Sequence, residues 1–373
     1  MRTLVTGGAG FIGAHLVDEL VKQGHDVKIY DNLQPQVHGK KRITPAYLNK
    51  NAEFIKADIL DEDKIYKAIK DVDVLFHEAA LVGVGQSMYE VARYTQVNSL
   101  GAAVILDIIA NKKHRLKKII VASSMSIYGE GKYKCAKCSE VFPELRPEAQ
   151  LKKKIWEMLC PKCGAKLSPV PTDETKPLRP TSIYAVNKRD HEEMFLSIGK
   201  AYKIPAVALR YFNVYGPRQA LSNPYTGVCA IFSARILNNH NPVIFEDGQQ
   251  SRDFIHVKDI VRANIAVMEN RNADYQAFNV GSGKAISILN IAEILIKKLN
   301  PGKGLKPEIK NEFRQGDIRH CFADITKINS MLNFKPAINF EKGIDDLTEW
   351  VRSQTCEDKV IKAIAELEKR GLA

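Results

Sequence analysis

Tyr184 and Lys188 stand four residues apart in a stretch, Ser182 to Tyr202, with the patterning of a helix, so both side chains fall on one helix face. A phenol ordinarily ionises near pH ~10. A neighbouring ammonium favours the phenolate, and so would a cationic nicotinamide ring. Such a tyrosine could take a proton from an alcohol near neutral pH. Taken alone, the pair fits an ordinary structural helix equally well. A run of hydroxyls shifts the balance. Val121-Ala122-Ser123-Ser124 reads as the end of a β-strand, followed by Met125-Ser126-Ile127-Tyr128-Gly129. A serine at that carboxyl edge can hydrogen-bond the same substrate oxygen as Tyr184 and orient the proton transfer.

A second constellation lies at the N-terminus. Thr6-Gly7-Gly8-Ala9-Gly10-Phe11-Ile12-Gly13 follows a strand and opens a helix. Gly7, Gly10 and Gly13 let the backbone turn tightly against a pyrophosphate, while the first N–H groups of the helix, beginning at Phe11 and Ile12, face the anion. Asp31, followed by Asn32, ends the next strand; a carboxylate there accepts from an adenosine ribose and disfavours a 2′-phosphate, so the cofactor expected is NAD. Asp58 and Ile59 follow the third strand, where an adenine would lie. Ala79 and Ala80 follow the fourth and leave room for a cofactor to pass.

Third, Cys135-x-x-Cys138 and Cys160-x-x-Cys163 form two knuckles, which together supply four thiolates for a tetrahedral, structural Zn²⁺. Four thiolates leave no open position for catalysis by the metal. Cys229, Cys321 and Cys356 are isolated.

These groups need a scaffold, and the chain supplies it. Short β-rich runs (4–6, 27–30, 53–57, 74–77, 118–123, 206–212) alternate with helical stretches (11–23, 64–69, 89–111, 182–202), as in an α/β Rossmann-type doubly wound parallel sheet. Residues 132–170, rich in Lys, Cys and Pro, break the rhythm and read as an inserted module. A smaller mixed α/β substrate domain is expected over 217–252 and 281–373, with 1–216 and 253–280 forming the NAD-binding unit. The charged tail 357–372 reads as helical.

The net charge of +12 is dispersed in clusters such as Lys152-Lys153-Lys154, without a nucleic-acid motif. Neither a membrane span nor a signal peptide is apparent, so a cytoplasmic location is expected.

In this order, glycine loop, Ser124, and Tyr184 with Lys188, the chain resembles the extended short-chain dehydrogenase/reductases of the nucleotide-sugar epimerase and dehydratase family, over nearly all its length outside the insertion. The resemblance implies catalytic roles for Ser124, Tyr184 and Lys188, and a cofactor or active-site position for Asn98. It also implies substrate contacts from Asn213 in 210–216, Arg252 in 251–257, and Arg314 and Asp317. Arg252 and Arg314 are, besides, the residue type suited to bidentate phosphate binding. Leu81 to Ser87 should line the sugar pocket, with Val82 and Val84 among its residues and Ser126 close to the reacting hydroxyl.

Family members share oxidation at sugar C4. Dehydratases need an Asp-Glu pair where Met125 and Ser126 stand, and uronate decarboxylases carry Glu at the place of Ser126, so NDP-hexose 4-epimerisation leads. Related galactose epimerases carry lysine where Val82 stands; an apolar Val82 points to a 6-deoxyhexose such as dTDP-L-rhamnose, with UDP-glucose/galactose or a UDP-uronate also open. The family commonly dimerises through helices matching 89–111 and 182–202, where Met194, Phe195 and Ile198 could make the contact or pack the core. A non-catalytic NAD-binding protein that contacts a partner through the cysteine module is the alternative; the complete Ser124, Tyr184 and Lys188 argue against it.

Overall fold

The computed structural model describes residues 1–300, 302 and 304–372. β1 (Arg2–Thr6), β2 (Asp26–Asp31), β3 (Glu53–Lys56), β4 (Val74–His77) and β5 (Lys118–Ser124) join Ala206–Tyr211 and Ala277–Val280 in one seven-stranded sheet. Across it the order is Ala277–Val280, Ala206–Tyr211, β5, β4, β1, β2, β3, and every pairing is parallel. The order reverses between β1 and β4. That is the switch point at which doubly wound sheets bind ligands, outside the carboxyl ends of their strands.

Each face of the sheet is sealed by apolar side chains, as parallel sheets require. Helices Phe11–Lys22 and Val257–Glu269 cover one face, packing Leu16, Val17, Ile260 and Val267 onto Val5, Ile29 and Leu209. Gly101–Asn111 and Ile183–Ala201 cover the other, where Ile105, Ile109 and Phe195 meet Leu75, Ile119 and Ala208.

The stretch read as one helix from Tyr89 to Asn111 begins instead at Val91 and contains a π-helical turn, Gln96–Leu100. Its cause is Asn98, at the centre of that turn and fully buried: its amide accepts from Leu81 N (2.8 Å) and donates to Leu81 O (3.1 Å). The helix yields one turn to reach the loop after β4.

A second sheet brings together Asn213–Tyr215, Ser251–His256, Ala285–Ser287 and His320–Cys321 in mixed orientation. Helices Val228–Leu237, Ile288–Leu299 and Phe340–Arg352 pack around their own core of Phe232, Ile291, Leu295 and Leu347. The inserted stretch is a three-stranded antiparallel sheet, Lys132–Cys135 flanked by Ser139–Val141 and Ser168–Val170. Its small core comprises Tyr133, Cys135, Val141, Met158, Cys160 and Leu167. Among the described residues, no helix is long and apolar enough to cross a membrane.

Candidate active site

The glycine loop leaves no space for side chains. A Cβ on Gly13 would lie 2.3 Å from Gly7 O, and one on Gly7, whose φ is +68°, would lie 2.8 Å from Ala79 N. The loop therefore presses against Ala79 after β4, and the helix Phe11–Lys22 starts at Gly10 with no side chain capping it and no acidic residue in its first turn. An anion there meets free N–H groups and the positive end of the helix. Asp31, nearly buried, braces this cradle by accepting from Ala9 N (3.1 Å) and Leu33 N (2.8 Å). Asn32 donates to Asp58 at 2.9 Å, joining two of the residues expected at the adenosine. The side chain of Ile59 is 6% exposed and packs under Gly101, which leaves its backbone as the part that could face an adenine. Asn98 spends its amide on Leu81, which fixes the start of the loop Leu81 to Ser87.

The helix Ile183–Ala201 is capped by Ser182, whose hydroxyl accepts from Ala185 N (3.1 Å). Tyr184 sits in its first turn, and its backbone N–H donates to Ser87 Oγ (3.0 Å), tying the helix to the loop that carries Val82 and Val84. Both valines are solvent-facing, 42% and 39% exposed. Lys188 is buried and donates to Ala122 O on β5 (2.6 Å). Burial pushes the Tyr184 phenol up to about 12, with the Ser124 hydroxyl pulling it down. Burial also depresses Lys188, which the carboxylate of Glu78 opposes. Ser124 Oγ accepts from both Ser126 N (3.1 Å) and Ser126 Oγ (2.9 Å). With both lone pairs occupied, its own hydrogen is left to donate. Met125 is buried beside Tyr128 and Phe212.

Of the expected nucleotide contacts, Asn213 and Arg252 lie on strands of the second sheet, and Arg314 and Asp317 in the segment that leads to its strand His320–Cys321. Asn213 Oδ1 is buried without a partner. Arg252 is already engaged, donating to Ser251 O (2.8 Å), Arg319 O (2.9 Å) and Ile318 O (2.7 Å). Arg314 pairs with Asp317 (2.9 Å) and lies over the Phe245 ring, 4.7 Å from its centroid. The four sulfurs of Cys135, Cys138, Cys160 and Cys163 lie within 4.8 Å of one another, as one tetrahedral ion requires.

Several charged groups escaped the reading of the sequence. Glu78 reaches Tyr211 Oη (2.8 Å) and faces Lys188. Arg210 forks onto Glu192, donates to Tyr128 Oη (2.7 Å), and is 5% exposed. Tyr184, Lys188 and Glu192 recur every four residues on one helix face, a spacing that could have exposed Glu192 as part of the same buried row. Arg146, Glu246 and Arg319, all buried, form with the half-buried Glu157 a further network between the inserted module and the segments that lead into the second sheet.

A seven-stranded doubly wound sheet with a glycine cradle and a Ser-Tyr-Lys set defines a dinucleotide-dependent α/β protein. The chain belongs to the NAD dependent epimerase/dehydratase family, whose model matches residues 3–149 and 160–281. A dTDP-L-rhamnose 4-epimerase of Burkholderia thailandensis is 34% identical over 355 residues, 95% of either chain. The structure of a UDP-glucose 4-epimerase from Thermotoga maritima with UDP-glucose is similar, with a TM-score of 0.74, 31% identity, and coverage of 94% of this chain and 99% of that one. So is a UDP-glucuronic acid 4-epimerase from Bacillus cereus in complex with UDP-glucuronic acid and NAD, with a TM-score of 0.75, 28% identity, and coverage of 94% and 99%. The break in the family match, residues 150–159, falls inside the inserted module.

Proposed function

We propose that the protein inverts C4 of a nucleotide-linked hexose, with no net oxidation of the sugar. The observation that carries this reading is the meeting of Ser124, Tyr184 and Lys188 at the carboxyl end of β5, beside the glycine cradle at the switch point. The cradle suits NAD: Gly7, Gly10 and Gly13 admit the pyrophosphate, and Asp31 stands at the ribose position. Bound NAD supplies reversible hydride chemistry at C4.

The side chains manage the proton. Tyr184 takes it from the C4 hydroxyl and returns it after the sugar has turned over in the pocket. Since burial holds the phenol at about 12 and the Ser124 hydroxyl pulls it down, ionisation near neutrality needs further positive charge, for which Lys188 one turn along the helix and the nicotinamide of bound NAD are the sources. Ser124 donates its remaining hydrogen to the same oxygen. Elimination of water or loss of CO₂ would need a further acid or base at residues 125 and 126. Met125 is apolar and buried, and the Ser126 hydroxyl is committed to Ser124, so dehydratase and decarboxylase chemistry is disfavoured.

Exposed Val82 and Val84 suit an apolar C6, and dTDP-L-rhamnose is the leading substrate, with UDP-glucose/galactose second. The nucleotide sugar would lie against the second sheet, meeting Asn213, Arg252, Arg314 and Asp317, while the parallel sheet holds NAD. Incubation with separate dTDP- and UDP-sugars, read by proton NMR, should yield the C4 epimer. Loss of the C6 oxygen, release of CO₂, or no reaction with any of these sugars would overturn the reading.

We also assign one structural Zn²⁺ to Cys135, Cys138, Cys160 and Cys163. The support is the sulfur cluster and a core too small to hold a three-stranded sheet unaided. Elemental analysis should find one zinc per chain, lost in Cys135→Ser together with protease resistance of residues 132–170; a metal-free yet resistant module would refute the assignment. Four reduced thiolates suit the cytoplasm. For a homodimer, Phe195 is unavailable because it is fully buried against His77. Exposed Val91, Leu100 and Val186 on the two neighbouring helices are the contact we propose, and a monomeric mass in light scattering would exclude it.

A further inference from the structure

The inserted module reaches the loops that carry Phe245 and Arg314 through two side chains, Arg146 and Glu157, and Arg146 is the one that joins both loops. Arg146 is 5% exposed. Its guanidinium forks onto Glu246, with Nη1 to Oε2 at 2.8 Å and Nη2 to Oε1 at 2.7 Å. It also donates to Trp156 O within the module (2.8 Å) and to Asp317 O (3.1 Å). These contacts bracket the aromatic–cation pair described above. Glu246 follows Phe245 directly, and Asp317 is the partner of Arg314, whose guanidinium lies over the Phe245 ring.

Glu246 itself is unusual. Its φ is +55°, the left-handed region that disfavours a residue with a Cβ, and its carboxylate is buried. The chain accepts this backbone conformation and meets the buried charge with two arginines. Arg319 supplies the second, donating to Glu246 (2.8 Å), to both oxygens of Asp247 (2.7 and 3.0 Å) and to Glu157 (2.6 Å). Glu157 lies in the same module and stands opposite His320. Two corners of the network, Arg146 and Glu157, therefore come from the insertion, and Glu157 falls in the stretch between the two family-matched segments.

We propose that Arg146 is a positioning residue for the nucleotide: through Glu246 and Asp317 O it sets the spacing between Phe245 and Arg314, so that the folded cysteine module makes the nucleoside diphosphate subsite. The inference rests on the nucleotide-sugar reading above. A fork of two hydrogen bonds fixes direction as well as distance, which a lysine cannot reproduce.

The test is calorimetric titration of zinc-loaded protein with UDP and with dTDP, alongside steady-state kinetics, for the native chain, Arg146→Met, Arg146→Lys, and Arg146→Met combined with Glu246→Gly. Arg146→Met and Arg146→Lys should each weaken nucleoside diphosphate binding about tenfold or more and raise KM for the nucleotide sugar alike. NAD affinity, kcat and zinc content should hold. Glycine at 246 relieves the left-handed backbone and removes the buried carboxylate that Arg146 shares with Arg319, while Arg319 keeps Asp247 and Glu157; the double variant should therefore be folded even if Arg146→Met is not, and should still bind the diphosphates weakly. Native-like diphosphate affinity in either folded variant would overturn the proposal. So would a parallel loss of NAD affinity and kcat, which marks general loosening. Failure of the native chain to bind either diphosphate would instead remove the nucleotide-sugar reading itself.

Discussion

Glu192→Gln should destabilise the protein by roughly 3 kcal/mol, whereas Arg210→Met combined with Glu192→Leu should cost clearly less than the two single changes summed. The pair is nearly sealed from water, Arg210 being 5% and Glu192 3% exposed. Arg210 meets both carboxylate oxygens, and Ser123 Oγ donates to Glu192 at 2.8 Å. Removing one partner of such a pair strands a buried charge, at about 3–5 kcal/mol, and glutamine recovers part of that through its remaining acceptor. With an unfolding entropy of about 2.1 cal/mol/K per residue, 3 kcal/mol corresponds to a fall in Tm of roughly 4 °C. The pair binds the Tyr184 helix to the strand Ala206–Tyr211, and the Ser123 bond ties the same carboxylate to β5, so kcat should fall more than KM rises, because the geometry between Ser124 and Tyr184 depends on both. Urea titration measures the first effect and initial-rate kinetics the second. A Glu192→Gln protein within about 0.5 kcal/mol of the native one, or a double variant as damaged as the sum, would show that the pair does not couple the helix to the sheet.

Gly13→Ala should raise the NAD dissociation constant by about 5- to 150-fold, because a Cβ 2.3 Å from Gly7 O forces the cradle open at an overpacking cost of about 1–3 kcal/mol; calorimetric titration with NAD measures it. Tyr184→Phe should lower kcat by about 10²- to 10⁴-fold with KM little changed, since only the proton transfer is lost; initial rates with the substrate that the NMR survey finds will tell. Bonding to His320, then to Arg319, holds the Glu157 carboxyl at about 2, below its usual range. A depressed carboxyl stabilises the fold above the unfolded value, about 4.3, and that contribution is lost as pH falls towards 2. Allowing for its partial exposure, Glu157→Gln should remove on the order of 1 kcal/mol near neutrality and flatten the acid limb of Tm against pH.

The parallel sheet and its cradle were legible because their signals are local. Glycine at 7, 10 and 13, carboxylate at 31 and alternating apolar runs stand at fixed spacings within the first strand–helix–strand unit, and backbone sterics allow few alternatives. The same holds for the cysteine knuckles, where two residues separate each pair of thiols. Asn98 shows where that logic stops. A motif position marks it for a ligand or for the loop that shapes the ligand's pocket, and only the fold reveals Leu81 as its partner. Ile59 follows the same rule: its place after the third strand is legible in the sequence, and the turn of its side chain into the core is not.

The charged groups were the least legible, and the reason is sequence separation. Arg146 and Glu246 lie a hundred residues apart, and Arg319 meets Glu157 across 162. No periodicity relates such residues, because their pairing depends on how a module docks and not on how a segment folds. In a list of surface-type residues each looks solvated, and the net charge of +12 reinforces that impression. Yet burial of an arginine is costly enough that it is tolerated only with a partner. The family match, which breaks at residues 150–159, and the left-handed φ of Glu246 are connected through this cost. The module's Arg146 meets the carboxylate at 246, and that carboxylate stands on a left-handed backbone of the kind glycine holds most readily. Insertion, buried charge and strained residue therefore behave as one unit, which is why replacing Arg146 and Glu246 together should be milder than replacing Arg146 alone.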